Sequence, residues 1–92
     1  MKIIWSNQSK NSYEKTIDFI LDQWNAQIAT DFENRVNMLL NRLVLDSQLC
    51  PIFKISNLRK CIIHKNISLI YLVKETDVFL ITFIDNRAKH SY

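Results

Sequence analysis

Apolar side chains fall along this chain in two rhythms. A short apolar run, Lys2 to Trp5, is ended by the polar cluster Ser6-Asn7-Gln8-Ser9 and predicts one brief strand. From about Ser9 the period becomes helical. Tyr13, Ile17, Ile20, Leu21 and Trp24 make one stripe, with Glu14, Asp18 and Asp22 on the polar side and a cap available within Ser6 to Ser9. A second stripe runs through Ile28, Phe32, Val36, Leu39, Leu40 and Leu43, with Arg35 and Arg42 facing away. One unbroken helix over both stripes would have nothing to bury against in so small a chain, so the pattern predicts a helical hairpin turning near Asn25. Thr30-Asp31-Phe32-Glu33 fits a capping box and offers a later start for the second helix. Pro51 has no amide proton and biases Cys50 toward extended backbone, which ends the helical region. Ile52 to Ile55 is expected to be extended.

Beyond Asn57 the period drops to two. Alternation sets Leu58, Lys60, Ile62 and His64 against Arg59, Cys61 and Ile63; Ile67, Leu69, Tyr71 and Val73 against Ser68, Ile70 and Leu72; and Val78, Leu80, Thr82 and Ile84 against Phe79, Ile81 and Phe83. The connections Lys65-Asn66 and Lys74 to Asp77 are short enough to force antiparallel neighbours. The expected architecture is α+β: an N-terminal strand, a two-helix hairpin on one face of a small sheet, then a three-stranded antiparallel meander, all in one domain spanning 1–92. The last two strands are apolar on both faces. A second covering is therefore expected, from the tail, another subunit or a partner peptide.

Composition narrows the function classes. Apolar residues make up 48% and charged residues 23% of the chain, a globular balance far from that of disordered segments. No apolar run is long enough to span a bilayer and MKIIWSNQ turns polar too soon for a signal peptide, so a cytoplasmic address is expected, with no membrane partner. The net charge of +3 is unevenly spread: residues 10–46 hold six acids against four bases, and residues 47–92 hold seven bases against three acids. A basic sheet half suits an anionic partner, nucleic acid or acidic peptide, or else a solvated basic surface. Cys50 and Cys61 lie in no CxxC or Cys/His cluster and are expected as reduced thiols, with no metal and no cofactor. With glycine absent, Asn57, Asn66 and Asn86 are the expected left-handed turn positions.

Three stretches carry a family resemblance. Ser56-Asn57-Leu58-Arg59 resembles the "(P)GLR" entry to the meander, Ile67 to Val73 (ISLIYLV) resembles a "YRVIYxV" strand, and Thr82-Phe83-Ile84-Asp85-Asn86-Arg87 resembles a terminal strand ending in arginine. Together with the strand–helix–helix–meander order, they make the chain similar to toxins of the RelE/ParE superfamily of type II toxin–antitoxin systems. The resemblance implies a cognate antitoxin, a toxin–antitoxin hetero-oligomer, and one of two actions. RelE-like members cleave messenger RNA on the ribosome, whereas ParE-like members are not nucleases and poison DNA gyrase.

For the nuclease, the resemblance places Arg59 at a catalytic lysine position and Arg87 at the arginine closing the last strand, both suited to stabilising charge on a phosphate. It places His90 and Tyr92, beside Lys89, as proton-transfer groups. Cys61 stands where a second lysine is expected and Ser68 where the arginine of "YRVIY" is, so half of the positive clamp is missing. The other reading is a catalytically silent protein- or nucleic-acid-binding domain on the same scaffold.

Overall fold

The computed structural model describes residues 1–53 and 56–86. Its order is β1 (Lys2–Trp5), α1 (Asn7–Gln23), α2 (Ala26–Leu45), β2 (Leu58–His64), β3 (Ile67–Lys74) and β4 (Asp77–Asp85). Local chemistry sets the helix ends. Ser6 is extended and its hydroxyl accepts from Ser9 N at 3.0 Å, which caps α1. Trp24 N–H returns to Ile20 O at 2.9 Å to end it, and Asn25 Oδ1 at once accepts from Ile28 N at 2.9 Å to start α2. The later start at Thr30 is not used. Thr30 lies inside α2 and donates its hydroxyl to Ala26 O.

The sheet has the order β1-β4-β3-β2. The meander is antiparallel as expected, and β1 joins it as a parallel partner of β4, from Lys2 opposite Asp77 to Trp5 opposite Leu80. β1 stops before β4 does, and α1 completes the job. Ser6 Oγ donates to Ile81 O at 3.1 Å, and Ser12 Oγ accepts from Phe83 N at 2.9 Å, so hydroxyls of a helix satisfy backbone groups that a strand would otherwise pair.

Both helices pack on one face. Ile20, Ala29, Phe32, Val36 and Leu43 meet Cys61, Ile63, Ile67, Leu69, Tyr71, Val78, Leu80 and Phe83 in one core. Phe83 is its aromatic hub, with ring centroids 5.3 Å from Tyr13, 5.9 Å from Trp5 and 6.3 Å from Phe32. Trp24 sits at the end of α1 instead of in the core, 40% exposed and 5.8 Å from the His64 ring.

Strict alternation fails at two bulges. In β4 the register passes from Tyr71 opposite Leu80 to Ile70 opposite Thr82, leaving Ile81 unpaired. The helix-facing set is therefore Val78, Leu80 and Phe83, while Thr82 and Ile84 turn to the far face. A second shift between Ile62 and His64 brings His64 opposite Ile67. On the far face Ser68, Ile70, Thr82 and Ile84 are all buried, so the covering expected of this face is present within the chain. The left-handed turn residue is also not an asparagine: among the described residues the positive φ, 58°, belongs to Glu75 in the β3–β4 turn.

Candidate functional site

The candidate residues do not share one surface. Arg59 lies on β2 opposite Tyr71, on the side that faces the helices. Its Nη1 donates to Cys50 O at 2.7 Å. Arg87, His90 and Tyr92 lie outside the described residues. Ser68 pairs with Ile62 and Ile84 on the opposite face, where its buried hydroxyl donates to Asn86 Oδ1 at 3.0 Å. His64, at the end of β2, packs against Trp24, and its Nδ1 makes no hydrogen bond among the described residues.

The two cysteines overturn an expectation. They are not reduced thiols but a disulfide, Cys50–Cys61. The reason is a small hairpin: Phe53 N–H bonds Leu58 O at 2.8 Å, Lys60 N–H bonds Pro51 O at 3.1 Å, and Ile52 bridges Arg59. Continuing that antiparallel register by two residues brings Cys50 opposite Cys61. Both are buried against the core. Lys60, on the other face, places its ammonium 5.0 Å from the Phe53 ring centroid.

Tyr71 completes the arrangement, with its ring in the core and its phenol edge partnered. It is fully buried, and its hydroxyl donates to Ser47 O at 2.8 Å while accepting from Cys50 N at 3.3 Å. Burial pushes its phenol above the ordinary tyrosine value, the Cys50 N–H and Arg59 pull it down, and Asp46 pushes it up; the net direction is upward. Burial, then Glu33, raises Tyr13 in the same direction. A raised pKa means that the unfolded chain gives up the proton first. This contribution to stability is therefore complete below about pH 10 and is lost as pH rises through the folded-state value. Chemical denaturation across that window should show stability falling into alkali, and Tyr71→Phe should flatten the fall while leaving the share of Tyr13. An equally steep fall in the variant would remove Tyr71 as its source.

A second surface lies between α2 and the edge strand β2. Arg35, Met38, Leu39, Arg42, Ile62 and Ile63 line a groove there. Met38 and Ile62 are 66% and 72% exposed, and Arg35 Nη1 donates to Ile63 O at 3.2 Å. Arg35, Met38, Arg42 and Leu45 are spaced three, four and three residues apart, so one face of α2 alternates cation and exposed apolar side chain. Among the described residues there is no group of His, Cys, Asp or Glu that could hold a metal ion, and no helix is long and apolar enough to cross a membrane.

The sequence profile described as "ParE toxin of type II toxin-antitoxin system, parDE" matches residues 3–90. The chain belongs to the ParE toxin family. It is thus a toxin of a type II toxin–antitoxin system, as its resemblance to the RelE/ParE superfamily implied. Solved structures share this ParE-family fold. A chain of the chromosomal ParDE system from P. aeruginosa superposes with a TM-score of 0.76 at 11% identity, over 92% of this chain and 95% of that one. The YoeB/ParE toxin from Agrobacterium tumefaciens gives 0.67 at 14% identity over 92% and 98%. A chain of the YoeB-YefM complex from Staphylococcus aureus gives 0.63 at 13% over 91% and 94%. No curated protein sequence matches the chain significantly.

Proposed function

We propose that this ParE-family toxin, one domain over 1–92, inhibits growth in the cytoplasm by binding DNA gyrase and not by cutting messenger RNA. The observation that carries the choice is the fate of three positions at which a ribosome-dependent nuclease would present cations. Arg59 is bonded to a backbone carbonyl, Cys61 is half of a disulfide, and Ser68 is buried on the other face of the sheet. These groups do not converge on one phosphate, whereas transition-state stabilisation needs donors aimed at a single place. A binding toxin has no such requirement. Induction without antitoxin should arrest growth with gyrase-linked DNA breaks and intact messages. Messages cut on ribosomes in an Arg59- and Arg87-dependent way would reverse the assignment, and normal growth would favour the silent binding domain.

The antitoxin's contact is proposed at the groove between α2 and β2. Its occupant is an amphipathic antitoxin segment carrying acidic residues, because the exposed Met38 and Ile62 need apolar cover and Arg35 and Arg42 flank them with positive charge. Two structural neighbours come from toxin–antitoxin systems described as ParDE and YoeB-YefM, which supports a protein partner of this kind.

A further inference from the structure

We infer that the Cys50–Cys61 disulfide is a redox-sensitive latch, a site of thiol–disulfide exchange that decides whether residues 46–53 stay docked on the sheet and whether the Arg59 guanidinium is engaged. The proposal does not depend on which target the toxin takes.

Three attachments of this segment converge on one residue. Cys50 is bound through its sulfur to Cys61, through its N–H to the Tyr71 hydroxyl, and through its carbonyl to Arg59. The two ends of the disulfide differ in what holds them. Cys61 is fixed within β2 opposite Leu69 and is 3% exposed, whereas Cys50 belongs to no helix or strand. Cleavage therefore leaves the sheet in place and frees the loop. The remaining ties are a few hydrogen bonds and the packing of Leu49 and Cys50 on the core, a small enough set for local opening to compete with closure. As Cys50 moves, Tyr71 loses a donor and Arg59 loses its acceptor. Arg59 then faces the groove formed by Gln48, Ile52, Asn57 and Val73 with its donors available to an anion.

The chemistry needs a dithiol reductant. Its thiolate attacks the sulfur of Cys50, which belongs to no helix or strand and is the less deeply buried residue of the two, forming a mixed disulfide and expelling Cys61 as a thiolate that takes up a proton. The second thiol of the reductant then attacks the mixed disulfide, releasing Cys50 as a thiol and leaving the reductant as its own disulfide. Two electrons and two protons have moved from reductant to protein. An excess of a disulfide such as oxidised glutathione drives the reverse exchange.

Hydrogen exchange on the full purified chain tests this, with dithiothreitol as the dithiol and oxidised glutathione as the oxidant. Reduction should accelerate exchange of the amides in 46–53 by tenfold or more, leave β3 and β4 unchanged, and be undone by re-oxidation. Modification of Arg59 by phenylglyoxal, mapped by mass spectrometry, should rise several-fold in the reduced protein and in the Cys50→Ser/Cys61→Ser double variant. Unchanged protection in 46–53 would overturn the latch. So would unfolding of the whole domain on reduction, or two free thiols persisting in oxidised glutathione.

Discussion

Replacing Phe83 by alanine is expected to destabilise the fold by about 3–5 kcal/mol, the usual cost of deleting a buried phenylalanine ring. Phe83 is 5% exposed and touches rings from three other elements: Trp5 of β1, Tyr13 of α1 and Phe32 of α2. Deleting it removes the one side chain that all three share. A chain of this length has a total stability of roughly 5–14 kcal/mol, so the loss takes between about a fifth and all of that margin. Urea denaturation followed by tryptophan emission and far-UV circular dichroism measures the loss. Phe83→Leu, which keeps most of the volume, should cost far less. A loss below about 1 kcal/mol for the alanine variant would show that the cluster closes without its hub.

The same residue shows where the sequence misleads. Alternation puts Phe83 on the face away from Val78 and Leu80, yet all three meet the helices because Ile81 bulges out of register. A slip of one residue is visible in a sequence only when it moves a polar side chain, and β4 from Val78 to Ile84 is apolar on both faces apart from Thr82. The helices were legible because Ser6 and Asn25 are caps with a defined chemistry and the stripes behind them have one period. Lys2 to Trp5 was legible as a strand, but four residues carry no record of their partner, so its place beside β4 was not.

Ile62→Asp should weaken the toxin–antitoxin complex by a hundredfold or more, about 3 kcal/mol, while leaving the toxin folded. The substitution is cheap for the fold because Ile62 is 72% exposed on an edge strand. It is costly for the proposed complex on two counts. The apolar contact is lost, and a carboxylate then faces an acidic partner in a place from which water has been removed. Calorimetric titration with the cognate antitoxin reads the affinity, and failed growth rescue on co-expression reads the consequence. Arg35→Gln and Arg42→Gln should instead slow association and reduce its salt dependence. Wild-type affinity in Ile62→Asp would place the antitoxin elsewhere on the toxin.

The candidate site was legible in part. Short motifs brought out Arg59 and the missing clamp at Cys61 and Ser68, and the structure places these on opposite faces of the sheet. What stayed hidden was the hairpin from Pro51 to Leu58. Pro51 reads as a breaker, and nothing in its neighbours announces that Pro51 and Phe53 pair with Lys60 and Leu58, so the register that sets Cys50 against Cys61 had no visible anchor. Tyr71 reads as core with a phenol edge that needs a partner; that the partners are Ser47 and Cys50 leaves no periodic mark.

The parallel pairing of β1 with β4 has a consequence for birth on the ribosome. The second residue of the chain waits for Asp77, and Trp5 for Leu80. At a synthesis rate of about 5–20 residues per second, that wait lasts roughly 4–15 s, with the N-terminal strand made and its partner not yet in existence. The helical hairpin emerges during that interval with its apolar face uncovered, since the strands it packs on come later in the chain. The sheet therefore closes only once β4 has been made, and any binding surface that needs the closed sheet does not exist before then.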